Sequence, residues 1–140
     1  MADRPGEPFG VYVHIPFCAS KCDYCAVATW TDRHHLTDAY LGALHADIER
    51  AIRDGMPVAD SIFVGGGTPS MLDGGELGAV IAAIPVVSGA EVTVECNPDD
   101  VTVDLLQHYL AAGVNRVSLG VQSMATHVLG TLGRRHDQRN

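Results

Sequence analysis

Alternation of apolar and polar residues divides the chain into short strands and amphipathic helices. Period-two patterns predict strands at Val11–Ile15, Ser61–Val64, Glu91–Cys96 and Asn115–Val121. Apolar residues that recur every three or four positions predict helices over Asp38–Asp54, from about Gly74 to a stop at Pro85, over about Val103–Ala112, and from near Ala125. The residues Thr37, Asp73 and Thr102 precede the first three helices as candidate N-caps. This β-α-β-α order predicts a parallel sheet with crossover helices.

Most of the predicted strands have one apolar and one polar face. In the third strand, Glu91, Thr93 and Glu95 oppose two valines, and the first and fourth strands alternate similarly. Strands of an open doubly wound sheet are covered on both sides and are nearly continuous apolar runs. The polar face therefore favours a (β/α) barrel whose lumen holds a ligand. The fold class is predicted as α/β, the N-terminal portion of a TIM-like barrel, with about three and a half βα units. A closed barrel needs more strands, so the chain is expected to hold a truncated barrel.

Composition and charge exclude some classes of binding partner and indicate a cellular location. The 140 residues carry a formal net charge of −8, and Lys21 is the only lysine, which argues against nucleic acid as a partner. No apolar run approaches the roughly 18 residues of a membrane span. The polar start has no signal-peptide pattern, so a cytoplasmic location is expected. Residues 1–10 are predicted to be a flexible N-terminus, and residues 11–140 an incomplete core domain.

Three of the four cysteines are clustered directly after the first strand, in Cys18-Ala-Ser-Lys-Cys22-Asp-Tyr-Cys25. Clustered cysteines in a reducing compartment indicate a metal or redox site rather than disulfides. A C-x3-C-x2-C array can bind an iron–sulfur cube and leave one iron open, because such cubes ordinarily take four cysteines. Two alternatives are a zinc site completed by His14 or His34 and a redox dithiol of Cys22 and Cys25. Cys96 has no spacing partner and is expected to be a small buried side chain.

Other candidate site residues follow the later strands. Gly65-Gly66-Gly67-Thr68 ends the second strand, where consecutive glycines allow a close backbone approach to a ligand. Glu95 closes the third strand, and Gln122 closes the fourth. Barrel enzymes build their sites at the C-terminal ends of the strands, where all of these residues and the cysteines fall. This convergence predicts a site at that end.

The cysteine array resembles the signature of the radical S-adenosylmethionine (SAM) superfamily. That resemblance implies a partial (β/α)6 TIM-like barrel and a [4Fe–4S] cluster on Cys18, Cys22 and Cys25. It also implies that SAM binds the open iron and is cleaved to a 5′-deoxyadenosyl radical. The glycine segment resembles the motif whose backbone meets the SAM amino group.

Motifs along nearly the whole chain resemble the oxygen-independent coproporphyrinogen III oxidase family. They are Tyr12-Val-His-Ile-Pro-Phe-Cys18, Gly65-Gly-Gly-Thr-Pro-Ser70, Glu95-Cys-Asn-Pro98, Asn115-Arg-Val-Ser-Leu-Gly-Val-Gln-Ser123 and Leu132-Gly-Arg-Arg-His136. The resemblance implies that SAM is bound by Tyr12, Tyr24, Gly66, Gly67, Thr68 and Glu95, with Gln122 and Arg134 facing a second SAM or whatever occupies that space.

Two departures favour the haem-chaperone branch of that family, HemW, over the true oxidases. The oxidases carry an extra cysteine two residues after the third cysteine of the array, and Val27 stands at that position here. They also carry an N-terminal extension used with substrate, whereas only eleven residues precede Tyr12. The resemblance then implies haem or porphyrin as a ligand, a haem-accepting apo-protein, and an electron donor such as flavodoxin or ferredoxin. The alternatives are radical decarboxylation of coproporphyrinogen III and, from another class, a zinc-stabilised structural module.

Overall fold

The computed structural model describes residues 6–133, which form a four-stranded sheet with helices on one side. The elements in chain order are β1 (Gly10–Ile15), α1 (Thr37–Arg53), β2 (Ala59–Gly66), α2 (Gly74–Ala82), β3 (Val86–Cys96), α3 (Val103–Ala111), β4 (Arg116–Leu119) and α4 (Thr126–Thr131). Short 3-10 turns occupy His34–Leu36, Pro69–Met71 and Pro98–Asp100. None of the helices within residues 6–133 is both long and apolar enough to cross a membrane.

The strands are all parallel and lie in the sequential order β1-β2-β3-β4. In a doubly wound sheet the strand order reverses at a switch point, whereas a barrel adds each strand beside the previous one. The register aligns Tyr12 with Phe63, Phe63 with Thr93, and Thr93 with Arg116, so these side chains form a row across one face. The sheet therefore has the arrangement predicted for part of a TIM-like barrel.

The opposite face of the sheet packs against the helices and forms the hydrophobic core. Strand residues of this core are Val13, Ile15, Ile62, Val64, Val92 and Val94. Helix residues are Leu41, Leu77, Val80, Ile81, Leu105 and Tyr109. One face of β1, β2 and β3 is thus buried, with Val117 of β4 partly buried beside it, and the other face lines the prospective lumen.

The observed boundaries refine the predicted ones. The caps at Asp73 and Thr102 are confirmed, since their side chains accept hydrogen bonds from the backbone N–H groups of Glu76 and Leu105. The predicted cap at Thr37 is wrong. Thr37 is the first residue of α1, and its hydroxyl donates to the His34 carbonyl at 2.8 Å. The reason is that the 3-10 turn before α1 runs directly into the helix and leaves no extended capping residue.

Pairing extends the second and third strands beyond their sequence patterns. β2 includes Gly65 and Gly66, because parallel pairing with β1 continues to Ile15 opposite Gly66. β3 begins at Val86, and its pairing with β2 is shifted between Ala59 and Ser61. At the N-terminal end, β1 starts at Gly10. The strands therefore carry the cysteine and glycine segments to the same end of the sheet.

Candidate functional site

A cavity of about 300 Å³ lies at the C-terminal end of the sheet, within the size range of small-molecule sites. Among the residues predicted from the sequence, its lining includes Cys18, Cys22, Tyr24, Cys25, Gly66, Gly67, Thr68, Glu95 and Gln122. Tyr12 lies on the lumen face of β1 and is not part of this lining. Arg134 lies outside the described residues. Segments that are more than a hundred residues apart in sequence thus share one cavity.

The loop that carries the cysteines is closed by backbone pairing at its base. Phe17 forms a parallel bridge with Trp30. The Cys18 N–H donates to the Trp30 carbonyl at 3.1 Å, and the Trp30 N–H donates to the Pro16 carbonyl at 2.8 Å. Within the loop, the Cys25 N–H donates to the Cys22 carbonyl at 3.0 Å. This pairing fixes the first cysteine to the end of the sheet and places the other two on a turn.

The three cysteine side chains differ in exposure. Cys18 is buried, whereas Cys22 and Cys25 are half-buried. Within residues 6–133, no three His, Cys, Asp or Glu side chains are grouped closely enough to hold one metal ion. A cube places its thiolates on different irons, so its ligands stand farther apart than those of a single ion. Three thiols around one cavity therefore fit a [4Fe–4S] cluster.

The two histidines considered as zinc ligands make other contacts. The Nε2 of His14 lies 2.9 Å from the Ala28 carbonyl, which only accepts, so this nitrogen donates and Nδ1 accepts from the Tyr12 hydroxyl at 2.9 Å. The Nε2 of His34 donates to the Cys18 carbonyl at 2.7 Å. Both nitrogens of His14 are thus engaged, and His34 supports the backbone of Cys18. These contacts speak against the zinc alternative.

The glycine segment packs directly on the chain that leads to Cys18. The Gly67 N–H donates to the Ile15 carbonyl at 2.6 Å, and the Thr68 N–H donates to the Phe17 carbonyl at 2.7 Å. A Cβ on Gly67 would lie 2.4 Å from the Phe17 carbonyl oxygen, which is closer than packed atoms approach. Gly66 has φ of +109°, and a Cβ there would lie 2.5 Å from the His14 ring. These glycines are therefore required by their close approach to β1 and the residues that follow it, whether or not a ligand is bound.

Glu95, at the end of β3, contacts the glycine segment at the end of β2. Its carboxylate accepts a hydrogen bond from the Gly66 N–H at 3.2 Å. Burial, and secondarily the negative charge of Glu95, raise the pKa of Tyr12. Tyr12 stacks on Phe63 with ring centroids 6.2 Å apart, below the cavity. The tyrosine is therefore held beside the site by its hydrogen bond to His14 and its stacking on Phe63.

Gln122 stands in a strained turn at the end of β4. Its φ is +67°, and no other non-glycine residue in the described part of the chain has a positive φ. The Ser123 N–H donates to the Val121 carbonyl at 2.8 Å across it, which closes a three-residue turn. Strain of this kind costs about 1–3 kcal/mol and is concentrated at functional sites. The backbone thus holds Gln122 in the cavity lining at a cost.

A polar network missed by the sequence reasoning joins the loops after β2 and β3. The buried Ser70 hydroxyl donates to Asp100 at 2.8 Å and accepts from the Asn97 N–H at 2.9 Å. Asn97 and Asp100 both line the cavity. In the sequence they follow a strand as Asn-Pro-Asp-Asp, which resembles an ordinary turn. Only their position after β3, at the site end of the sheet, could have marked them.

Cys96 is buried beside this network, as predicted. It is 4% exposed. Burial, with contributions from the charges of Asp100 and Glu95, raises its pKa to about 11. The thiol is therefore protonated at neutral pH, in contrast to the form that binds iron. Cys96 lines the same cavity as the clustered cysteines but lies at the end of β3, outside their loop.

Comparison with known proteins identifies the family. The sequence pattern of the radical SAM superfamily matches residues 12–140. The chain belongs to the radical SAM superfamily. Members of this superfamily use a [4Fe–4S] cluster and SAM, which agrees with the three thiols and the cavity described above.

Individual relatives of this radical SAM chain are proteins named for haem metabolism. It is 40% identical to the haem chaperone HemW of Mycobacterium tuberculosis over 144 residues, covering 97% of this chain and 37% of that protein. It is 32% identical to the oxygen-independent coproporphyrinogen III oxidase of Salmonella typhimurium over 148 residues, covering 99% of this chain and 32% of that protein. The chain thus spans about a third of the length of the relatives it matches.

A solved structure supports the same assignment. Coproporphyrinogen III oxidase (HemN) from Escherichia coli, a radical SAM enzyme, superimposes with a TM-score of 0.82 at 31% identity. The alignment covers 94% of this chain and 32% of that structure. The four-stranded sheet therefore corresponds to part of the barrel of a radical SAM enzyme.

Proposed function

We propose that the protein is a HemW-like haem chaperone that holds a [4Fe–4S] cluster on Cys18, Cys22 and Cys25 and binds SAM in the adjoining cavity. In this role it would bind haem and deliver it to apo-proteins, with reduction by a flavodoxin- or ferredoxin-type donor. The bound cluster would supply one electron for the reductive cleavage of SAM. We also propose a cytoplasmic location for the protein.

The observation that carries this proposal is the shared cavity. Three thiols from the loop after β1 and the polar ends of β2, β3 and β4 line one space. Glu95 offers carboxylate oxygens, Gln122 an amide and Thr68 a hydroxyl to a ligand there. A carboxylate can bind the amino group of SAM. The ribose hydroxyls and the carboxylate of SAM can form hydrogen bonds with amide and hydroxyl groups. The chain's own groups therefore suit SAM.

Two features support the chaperone branch over the oxidases. Identity to HemW of Escherichia coli is 40% over 136 residues, against 32% to the Salmonella oxidase. Val27 lines the cavity at the position where the oxidases carry a further cysteine. An apolar valine can neither bind iron nor take part in thiol chemistry. The valine leaves the three cysteines of the array in place and removes a thiol associated with the oxidases.

The second candidate is an oxygen-independent coproporphyrinogen III oxidase, which would convert two propionates to vinyl groups. The superposition on the Escherichia coli enzyme supports this alternative. Chaperone and oxidase share the cluster and SAM but differ in what happens to the porphyrin. The two tests below therefore treat the cluster and the porphyrin chemistry separately.

The first test is anaerobic reconstitution with iron and sulfide, read by iron content and by EPR after reduction. We expect about four irons per chain in the wild type and in Cys96→Ala, and loss of the cluster in Cys22→Ala. Circular dichroism of the metal-free variants should be unchanged, because Cys22 lies outside the hydrophobic core. Zinc alone, or an equal loss in Cys96→Ala, would overturn the cluster assignment.

The second test separates chaperone from oxidase. The reconstituted protein is incubated with SAM and reductant, either with haem and an apo-haem protein or with coproporphyrinogen III. We expect haem binding by absorption spectroscopy and transfer to the apo-protein, without formation of protoporphyrinogen. Release of carbon dioxide from coproporphyrinogen would replace the chaperone assignment with the oxidase.

A further inference from the structure

We infer that the hydroxyl of Thr68 is a hydrogen-bond donor to the sulfur of Cys18 and thereby raises the reduction potential of the cluster. This inference rests on the proposed function, since it requires a cluster on the cysteine array. The resemblance to the oxidase family implies only that Thr68 contacts SAM. The structure adds a second partner for the same side chain.

The contact itself is direct. The Thr68 Oγ1 lies 3.5 Å from the Cys18 Sγ with donor geometry toward the sulfur. Hydrogen bonds to sulfur are longer than those to oxygen because the sulfur atom is larger. Cys18 is only 7% exposed, so little water competes for its sulfur. The thiolate of a bound cluster would accept this bond more strongly than the neutral thiol does.

The backbone holds both partners in place. The Thr68 N–H donates to the Phe17 carbonyl at 2.7 Å, directly before Cys18. Cys18 is bonded through its N–H to the Trp30 carbonyl and through its own carbonyl to the His34 ring. Gly67 makes this approach possible, because any side chain there would meet the Phe17 carbonyl. The hydroxyl is therefore fixed beside the sulfur before any cluster binds.

The direction of the effect follows from charge. Reduction by one electron makes the cluster more negative and increases the charge on its cysteine sulfurs. A donor to one of those sulfurs stabilises the reduced state more than the oxidised state, which raises the potential. Thr68 thus makes the cluster easier to reduce by a weak cellular donor. It is a positioning residue for Cys18, separate from any contact that it makes to SAM.

The experiment is an EPR-monitored dithionite titration of the reconstituted protein, done without SAM so that a lost SAM contact cannot contribute. Thr68→Val removes the hydroxyl and keeps the shape of the side chain, whereas Thr68→Ser keeps the hydroxyl. Thr93→Val is the matched control, because Thr93 is fully buried and its hydroxyl donates to Glu91 rather than to a sulfur.

We expect Thr68→Val to lower the ratio of reduced to oxidised cluster about tenfold at a fixed solution potential, or about 59 mV for a one-electron couple. Thr68→Ser and Thr93→Val should titrate like the wild type. Loss of the cluster in Thr68→Val alone, with Thr68→Ser loaded, would also support the hydroxyl as the essential group.

Two results would overturn the inference. The first is an unchanged potential in a fully loaded Thr68→Val protein. The second is an equal defect in Thr68→Val and Thr68→Ser, which would assign the effect to packing. In both cases a wild type that binds four irons would leave the proposed function standing, whereas a wild type without a cluster would refute that function itself.

Discussion

The two faces of the four-stranded sheet differ sharply although they are built from alternate residues of the same strands. On the helix-covered face, Ile15, Val64 and Val94 are completely buried. On the other face, Tyr12 is 58% and Phe63 36% exposed. The packed face supplies most of the hydrophobic stabilisation, and the other is free to carry the polar groups beside the cavity. Stability and chemistry should therefore be separable, except at the strand ends, where the glycine segment meets both.

The sharpest test of this separation is Leu77→Ala on the packed face. Leu77 is 0% exposed, and truncation of a buried leucine costs about 2–5 kcal/mol. The free energy of unfolding, measured with urea on the metal-free protein, should fall by about that amount, while iron loading below the transition stays at the wild-type level. Leu110→Ala, at a residue that is 70% exposed, is the control and should change stability by less than about 0.5 kcal/mol. Loss of the cluster in Leu77→Ala at full folding would mean that the two faces are coupled.

Gly67→Ala should affect both stability and cluster binding, because Gly67 lies at the strand ends, where the packed face meets the cavity. The new methyl would meet two backbone carbonyl oxygens, at 2.4 Å for Phe17 and 2.8 Å for Ile15. We expect a loss of about 1–3 kcal/mol in the free energy of unfolding, together with reduced iron loading, because Cys18 directly follows the displaced carbonyl. Gly42→Ala in α1 is the matched control. A Cβ there meets nothing within 4 Å, and the helix should gain up to about 1 kcal/mol.

Alkaline pH tests the end of the packed face, where Cys96 belongs to the hydrophobic core. The Cys96 pKa is raised to about 11 from 9.0, so the unfolded thiol ionises first as the pH rises. Stability is therefore lost between pH 9 and 11, by roughly 2 kcal/mol at pH 10.5. The difference in unfolding free energy between pH 8.0 and 10.5, measured in reductant, should be smaller by that amount in Cys96→Ala. An unchanged difference would mean that Cys96 is solvated.

The smallest expected effect is at Tyr109, deep in the packed face. Its hydroxyl is buried and has no hydrogen-bond partner within residues 6–133, so Tyr109→Phe should be neutral or stabilising by up to about 1 kcal/mol. Tyr40→Phe is the contrasting variant, because the Tyr40 hydroxyl donates to the His14 carbonyl. It should lose about 1 kcal/mol in the same urea measurement. A clear loss in Tyr109→Phe would reveal a bonded hydroxyl.

Much of the fold could be predicted from local patterns. Alternation along β3 separated Glu95 from the valines that pack on helices, and side-chain caps marked the starts of α2 and α3. The strand boundaries were less accurate, because pairing with a neighbouring strand extends β2 through Gly66 regardless of its side chains. The cap at Thr37 failed for a similar reason, since the preceding turn depends on contacts made by His34.

The sequence by itself determined which groups this protein has for chemistry. The spacing of Cys18, Cys22 and Cys25 gives three ligands in one loop, and the strand order brings that loop, Glu95 and Gln122 to the same end of the sheet. These features are encoded locally, by spacing and by alternation, so they can be recognised without coordinates.

Only the tertiary structure decided how those groups act on one another. The contact from Thr68 to the Cys18 sulfur joins positions fifty residues apart, and the support of Cys18 by His34 joins two ends of a closed loop. Such contacts depend on the register of β1 against β2 and on the space that Gly67 leaves. Alternation of apolar and polar residues excludes a shift of one residue, which would direct the side chains of a strand to the other face, but it does not distinguish registers that differ by two residues.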